Sequence, residues 1–491
     1  MIVSAAQMKA AEEMAFASGA TPSGLMEIAG KGIAKCIGEF FPNPGTVVLF
    51  CGKGHNGGDG LVAARYLIEH GWRVLIRLAS SRQEMAKLTQ QNLDALEGAT
   101  LVDSVPTIAS QQLLLLDGLL GIGSTGTPRG VVADLIHEMN QLRTREGGFT
   151  VAIDLPSGLD GTTGVHEGAC VQADLTVTIG AVKTGLVTDT ATAMVGRLAL
   201  VPLPGLSFSL ADPSSISIPR MLRALLPTRD FDSYKGTYGR IGILAGSSGF
   251  FGAAKLCSSA AVHAGGGLVT LYATPESHDL LSGTCIPEVM VQRVESYQDV
   301  LQEKNDVLAL GPGLGREHDA DLRKIITQAT IPCVIDADAL NATSAEVSLL
   351  ANCEGHRLIT PHPGEMERLN PQAGRNRLTW AKEFVEKYPV TLLLKGSRTI
   401  ITQRDFPPAY NSTGNPGMGT GGMGDVLTGV CSALIGGGHS TRHAAMLGAW
   451  VCGRAAEIAI FNGNDSQESL TASSVIAHLG EAFQSLRRGD Y

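Results

Sequence analysis

Short apolar runs recur along the chain, continuous rather than alternating, and between them apolar residues fall three and four apart. In the first 200 residues the runs are 46–50 (TVVLF), 73–78 (RVLIRL), 112–117 (QLLLLD), 149–154 (FTVAID) and 174–179 (ADLTVT). A strand buried on both faces reads this way, whereas a strand with one wet face alternates. Helical periodicity lies between them at 59–70, 83–96 and 131–142. It also occurs earlier, with Leu25, Met26, Ile28, Ala29, Ile33 and Ile37 on one face. Strand and helix in alternation predict a parallel sheet covered on both sides, a Rossmann-like doubly wound α/β domain.

The alternation lapses between 202 and 238, where Pro202, Pro204, Pro213, Pro219 and Pro227 are spaced by serines. A boundary near 210–225 is expected there, giving domains 1–215 and 216–491. Apolar runs then resume at 240–246, 267–272, 306–310, 331–335, 357–360 and 391–395, with helical patterns at 252–264, 318–328, 376–388, 424–435 and 442–461. This predicts a second α/β domain, and the two halves share no sequence period.

The length of 491 residues independently requires more than one core. A net charge of −9, with no basic block, speaks against nucleic-acid or membrane-surface partners and leaves small molecules. No secretory leader and no uncharged apolar stretch of membrane-spanning length is expected, since Ser4-Ala5-Ala6-Gln7 resembles a helix capping box followed by charge. Nine scattered cysteines without a CxxC pair fit reduced core residues and a cytoplasmic protein.

The candidate chemistry lies at strand ends. Residues 52–60 (GKGHNGGDG) leave a strand and enter a helix, the setting of a phosphate loop. GxGxxG also occurs at 121–126, 417–422 and 419–424, so position carries more weight than pattern. Asp117 and Asp154 end two further runs, the latter before Leu155-Pro156-Ser157-Gly158. Oxygens from Asn56, Asp117 and Ser157 on one sheet edge suit a hard monovalent cation or a polar ligand, and there is no His/Cys cluster for a transition metal. A lone strand-end aspartate is otherwise a cap or turn residue.

In the second half no Walker sequence exists. The glycine-rich run 415–425 (NPGMGTGGMGD), directly before helical VLTGVCSAL, can present successive N–H donors at a helix N-terminus as an anion hole. Asp425 would sit where an attacking hydroxyl passes; its plainer reading is an N-cap. Lys395 ends an apolar strand, so its ammonium should face the strand-end crevice, towards phosphate or out to solvent. His362 lies between two prolines, as a ligand contact or a satisfied core histidine. Gly313 and Gly315 follow a strand, allowing close ligand approach or a tight turn.

The sequences GKGHNGGDGLVAARYL, LLLLDGLLGIGSTG and AIDLPSGLDGTTG resemble the NAD(P)H-hydrate epimerase family over residues 1–210. That resemblance implies substrate binding by His55, Asn56, Gly57, Gly58 and Asp59, by Gly121, Ile122, Gly123, Ser124, Thr125, Gly126 and Thr127, and by Asp154 as acid/base. It further implies K⁺ held by Asn56, Asp117 and Ser157. His55 departs from the family's usual asparagine. Residues 225–485 resemble the NAD(P)H-hydrate dehydratase branch of the ribokinase superfamily. The segments that carry this are 246–254, 311–315 (GPGLG), 336–340 (DADAL), 360–365 (TPHPGE), 395–399 (KGSRT) and the GxGD segment. This resemblance implies substrate contacts at Ala254, Gly313, His362 and Asp425, with Asp425 catalytic. It places nucleotide contacts at Lys395, Gly396, Ser397, Arg398, Thr399 and Gly424, ADP or ATP as phosphoryl donor with Mg²⁺, and a homo-oligomer. The alternative is a small-molecule kinase, which would leave a stable phosphorylated product.

Overall fold

Apolar runs long enough to be buried on both faces become the strands of two sheets, one parallel and one mainly parallel. The computed structural model describes residues 1–108, 112–124, 126–210, 213–371 and 376–491. They divide into two units, Met1–Ile218 with Asp490–Tyr491, and Pro219–Gly489.

In the first unit the strands are β1 (Thr46–Cys51), β2 (Arg73–Leu78), β3 (Thr100–Leu101), β4 (Leu113–Gly118), β5 (Phe149–Ile153), β6 (Leu175–Ile179) and β7 (Arg197–Val201). Their order is β3-β2-β1-β4-β5-β6-β7, and every pairing is parallel. The direction of winding reverses between β1 and β4, and open α/β sheets bind ligands in the crevice at that switch point. β1 and β4 are buried throughout, as their unbroken apolar sequences require.

Three differences from the sequence expectation matter. The helix after β1 is His55–Glu69, beginning four residues before the expected start, so the glycine cluster is the helix's own first turn. The helix expected at 83–96 is a short turn, Arg82–Glu84, followed by a helix at Lys87–Asp94. β7 was not foreseen because the crossover into it is built from short turns and a four-residue helix, Thr192–Val195, which leave no periodic signal.

Nine strands of the second unit, among the described residues, share a sheet. They are β8 (Arg240–Leu244), β9 (Leu268–Ala273), β10 (Val289–Arg293), β11 (Val307–Leu310), β12 (Cys333–Ile335), β13 (Arg357–Ile359), β14 (Thr391–Leu394), β15 (Ile400–Gln403) and β16 (Phe406–Asn411). The order is β16-β15-β14-β13-β12-β11-β8-β9-β10; only the β14–β15 and β15–β16 pairings are antiparallel. One face is covered by helices Phe251–His263, Met423–Gly436, Thr441–Phe461 and Ala472–Arg488. The other face packs Leu322, Ile325, Met366, Trp380 and Phe384 from three further helices.

Helix Thr441–Phe461 is 21 residues long and apolar enough to cross a membrane by length and composition, which the sequence reading did not expect. In the fold, 89% of an apolar 18-residue stretch of this helix is buried inside the protein, so its hydrophobicity serves the core.

Candidate active sites

At the switch point of the first sheet, the turn after β1 lies directly on the loop after β4. A Cβ added to Gly52 would stand 1.9 Å from the Leu119 carbonyl oxygen, so only glycine permits this approach. Asn56, in the first turn of the following helix, donates from Nδ2 to the Leu120 carbonyl at 2.7 Å. Leu120 N donates to Ser157 Oγ at 2.9 Å, and Ser157 Oγ in turn donates to Asp117 Oδ1 at 2.6 Å. Ser157 N and Leu119 N complete the Asp117 carboxylate at 2.8 and 3.2 Å. Asp117 is 0% exposed. Burial pushes its pKa up to about 6, with the Ser157 and Leu119 hydrogen bonds holding it partly down. The three residues expected at a cation site are therefore brought together.

Asp154, just beyond β5, has a positive φ of 67°, a strained conformation for a non-glycine residue and one that clusters at functional sites. Its Oδ1 is gripped by Lys183 Nζ in a buried ion pair and accepts from Ile179 N at 3.0 Å and Thr178 Oγ1 at 3.3 Å. Lys183 is 1% exposed and also donates to the Ile179 carbonyl at 2.8 Å and to Thr178 Oγ1 at 3.2 Å. Two more carboxyls join this charge cluster. Asp59 is pushed well above the ordinary carboxylate range by desolvation, then by the charges of Asp154 and Glu12, with Lys183 opposing. Glu12, from helix Ala5–Ala17, is raised by burial and by Asp154 and held down by Lys183. Three acids thus share one buried ammonium, the kind of charge cluster found at functional sites.

The remaining first-unit candidates spread along the crevice. Gly57 and Gly58 are buried in the helix's first turn, whereas His55 is exposed. Gly121 packs on Asn56, an added Cβ reaching Asn56 Cβ at 3.2 Å. Gly123, Ser124 and Gly126 are exposed, and Ile122 packs beside the small cluster of Val3, Met8 and Ala181. Thr127 Oγ1 donates to Glu167 at 3.5 Å. Thr125 lies outside the described residues.

In the second unit the glycine-rich run enters helix Met423–Gly436 through Gly422, whose φ of 89° makes it the N-cap. Asp425 is therefore a first-turn residue; Gly422 occupies the cap position. Burial raises Asp425 to about 6, the charge of Asp336 adds to the shift, and Lys395 opposes it. Lys395 Nζ donates to Asp336 Oδ1 at 2.8 Å and lies 3.6 Å from Glu365 Oε2. Its ammonium is thus paired with two carboxylates, partners the sequence reading had not named.

His362 is the N-cap of helix Pro363–Leu369, its Nδ1 accepting from Gly364 N at 3.0 Å and Glu365 N at 3.3 Å. Its side chain is half exposed, so it is no core histidine. Gly313, at φ 63°, lies against helix Phe251–His263, where an added Cβ would be 2.9 Å from Ala253 Cβ. Ser247 Oγ donates to the Gly313 carbonyl at 2.8 Å. Ala254 is fully buried in the core beneath, packed on Gly246. Gly396 and Ser397 are exposed in the turn between β14 and β15, where Thr399 Oγ1 donates to the Gly396 carbonyl at 3.0 Å, and Arg398 is buried. Arg377 stitches this turn together, its guanidinium donating to the carbonyls of Leu394, Lys395 and Arg398 at 3.2, 2.9 and 3.2 Å. An added Cβ on Gly424 would lie 3.3 Å from Asp336 Oδ2.

Sequence reasoning missed Glu12, Lys183, Asp336, Glu365 and Arg377 as members of these centres. The signals existed for two of them. Asp336 ends an apolar run as Asp117 and Asp154 do, and Lys183 is a charge in an apolar stretch, as Lys395 is.

Comparison with known proteins follows the same division. A family model described as NAD(P)H-hydrate dehydratase matches residues 241–477, and one described as YjeF-related protein N-terminus matches 22–185. The bifunctional NAD(P)H-hydrate repair enzyme Nnr of Moorella thermoacetica is 35% identical, aligned over 93% of this chain and 92% of the relative. The protein of the same name from Coxiella burnetii is also 35% identical, over 96% of this chain and 97% of its own. Among solved structures, the ADP/ATP-dependent NAD(P)H-hydrate dehydratase from Bacillus subtilis, co-crystallised with ATP/Mg²⁺, is 28% identical. It matches with a TM-score of 0.49, over 57% of this chain and 100% of that one.

Proposed function

The chain belongs to the family of bifunctional NAD(P)H-hydrate repair enzymes, and we propose from that premise how its residues divide the work. The enzyme interconverts the R and S epimers of hydrated NADH and NADPH and dehydrates the S form in an ADP-dependent reaction, with epimerase and dehydratase in successive domains. The donor is ADP, with ATP as the alternative.

In the first unit Asp154 is the acid/base. Epimerisation must break and remake a bond at the hydroxyl-bearing ring carbon, which needs a group able to take and return a proton. Asp154 suits this because Lys183 fixes its carboxylate and two further carboxyls adjoin it, Asp59 and Glu12, both raised by burial and by the charge of Asp154. Asn56, Gly57, Gly58 and Asp59 with the 121–127 loop bind the dinucleotide, whose phosphates meet the free N–H groups of the helix starting at His55. Asn56, Asp117 and Ser157 hold K⁺. The fit rests on Asp117, a buried carboxylate that no basic side chain neutralises among the described residues. A bound cation would supply that missing charge.

In the second unit Asp425 accepts the proton of the ring hydroxyl as its oxygen attacks the terminal phosphorus of the donor. The P–O bond to the leaving nucleotide breaks, and the first turn of helix Met423–Gly436 offers its N–H groups to the transferring phosphoryl. The ring nitrogen then expels phosphate, a far better leaving group than hydroxide, and a proton leaves the neighbouring carbon. Gly313 and His362 border the substrate, with Ala254 supporting that wall from beneath. Residues 395–399 and Gly424 border the nucleotide. No group of three or more metal-ligating side chains is found among the described residues. Mg²⁺ fits as an ion carried by the nucleotide phosphates, its usual mode, where it would neutralise phosphate charge. Assembly as a homo-oligomer and a cytoplasmic setting are carried by the family resemblance alone.

The observation that carries this division is the presence of two distinct carboxylate centres, Asp154 with Lys183 and Asp425 with Asp336 and Lys395, each beyond the carboxyl ends of parallel strands in its own unit. The test is recovery of reduced-nicotinamide absorbance from an R/S mixture of hydrated NADPH with Mg²⁺, K⁺ and either ADP or ATP. Full recovery, faster than spontaneous epimerisation, is expected. Recovery that stops at the S fraction removes the epimerase assignment, and a stable phosphorylated product with no recovery points to the kinase reading.

A further inference from the structure

Asp336 is the point at which three elements of the second unit meet. It follows β12 and is 1% exposed. One oxygen accepts from Lys395 Nζ at 2.8 Å, beyond β14, and the other from Thr428 Oγ1 at 2.9 Å. Thr428 belongs to the helix that carries Asp425 and follows it by three residues, hence on the same helical face. Between the two, the backbone of Gly424 lies so close that an added Cβ would be 3.3 Å from Asp336 Oδ2 and 3.4 Å from Lys395 Nζ. The first turn of the helix therefore rests on the ion pair with no side chain intervening. The backbone next to Asp336 is strained, Ala337 having a φ of 48°. A buried ion pair is a poor device for stability alone, since well-packed apolar residues often serve as well or better.

We infer that Asp336 and Lys395 are a positioning pair for dehydration, holding in place the first turn of the helix that carries Asp425. This rests on Asp425 being the base. Groups from each neighbouring element face this centre: Cys257 from helix Phe251–His263, Asp336 beyond β12, Lys395 beyond β14, and Glu365 with His362 at the start of helix Pro363–Leu369. The Cys257 thiol is driven up by burial, then by Asp425 and Asp336, and stays neutral. The carboxylate Asp336 favours the protonated form of Asp425 while the ammonium of Lys395 disfavours it. Neutralising either member should move the acid limb of the reaction, and in opposite directions.

The experiment uses the full-length enzyme with S-hydrated NADPH and ADP·Mg²⁺ at saturation, reading kcat against pH. Asp336→Asn should displace the acid limb to lower pH by about one unit, the size of a near-charge effect. Lys395→Met, which leaves Asp336 and Glu365 uncompensated, should displace it upward. Thr428→Val removes a hydrogen bond without changing charge and should lower kcat with the limb in place. A limb that stays put in Asp336→Asn and Lys395→Met, or moves the same way in both, overturns the pair. For a variant too slow to profile, the Asp425 pKa is read from the pH dependence of Tm with and without Asp425→Asn, under the same criteria. Asp425→Asn in the wild-type background separates the two readings: retained dehydration there refutes the base assignment, whatever the pair does.

Discussion

Replacing Lys183 by methionine should unbalance the first active centre more than any other single change. The ammonium is 1% exposed and, among the described residues, is the cation paired with Asp154, with Asp59 and Glu12 adjoining. Methionine fills much of the same volume, so the loss is electrostatic rather than a cavity. Breaking one side of a buried ion pair costs about 3–5 kcal/mol. For a unit the size of Met1–Ile218, each kcal/mol shifts Tm by about 2–4 °C, so the fall should be about 6–20 °C. The deficit should also depend on pH. Asp59 and Glu12 already bind protons more tightly in the folded protein than their ordinary values, and Lys183 restrains both. A carboxyl raised on folding adds stability at low pH and loses it as pH rises, so across a range from alkaline to mildly acidic pH the deficit should shrink steadily. Differential scanning calorimetry of the full chain across that range measures the size. Hydrogen exchange at β5 and β6 assigns the change to the first unit, and exchange between the R and S hydrates reads the epimerase. In the double variant Lys183→Met/Asp154→Asn the charge is removed from both sides, so part of the stability should return without the activity. A Tm shift below about 2 °C, or a deficit that grows on acidification, would refute the reasoning.

Three further outcomes are expected. Asp425→Asn should lower the kcat of dehydration by about 10²–10⁴-fold with R/S exchange intact, and in the wild type dehydration should fall as pH drops through about 6, where Asp425 gains a proton. Exchanging K⁺ for a large organic cation should suppress R/S exchange and lower the Tm of the first unit, while Asp117→Asn should abolish both K⁺ effects; equal activity in the two salts removes the K⁺ assignment. Gly52→Ala, whose Cβ would fall 1.9 Å from the Leu119 oxygen, should force apart the turns after β1 and β4 and eliminate epimerisation, with dehydration of the pure S hydrate retained.

The sequence by itself determined the class of fold and where its chemistry lies. Unbroken runs such as TVVLF and LLLLD, short and bounded by turn residues, read as strands buried on both faces, and helical periods between them favour parallel pairing and crossovers. That places Asn56, Asp117 and Asp154 at strand ends, and the structure brings Asn56 to Leu120, Leu120 to Ser157 and Ser157 to Asp117. Short or irregular pieces escaped because they leave no period: the two residues of β3, the turns leading into β7, and the Gly57–Gly58 segment, which folds as helix despite its glycines because tertiary packing outweighs local propensity. Only the tertiary structure decided the ionic partners. Lys183 is 29 residues from Asp154, Lys395 is 59 from Asp336, and Asp336 is 92 from Thr428. No local pattern encodes such separations. A charge in an apolar run must find an opposite charge or leave the core, and which one it finds depends on which strand ends the sheet order places side by side.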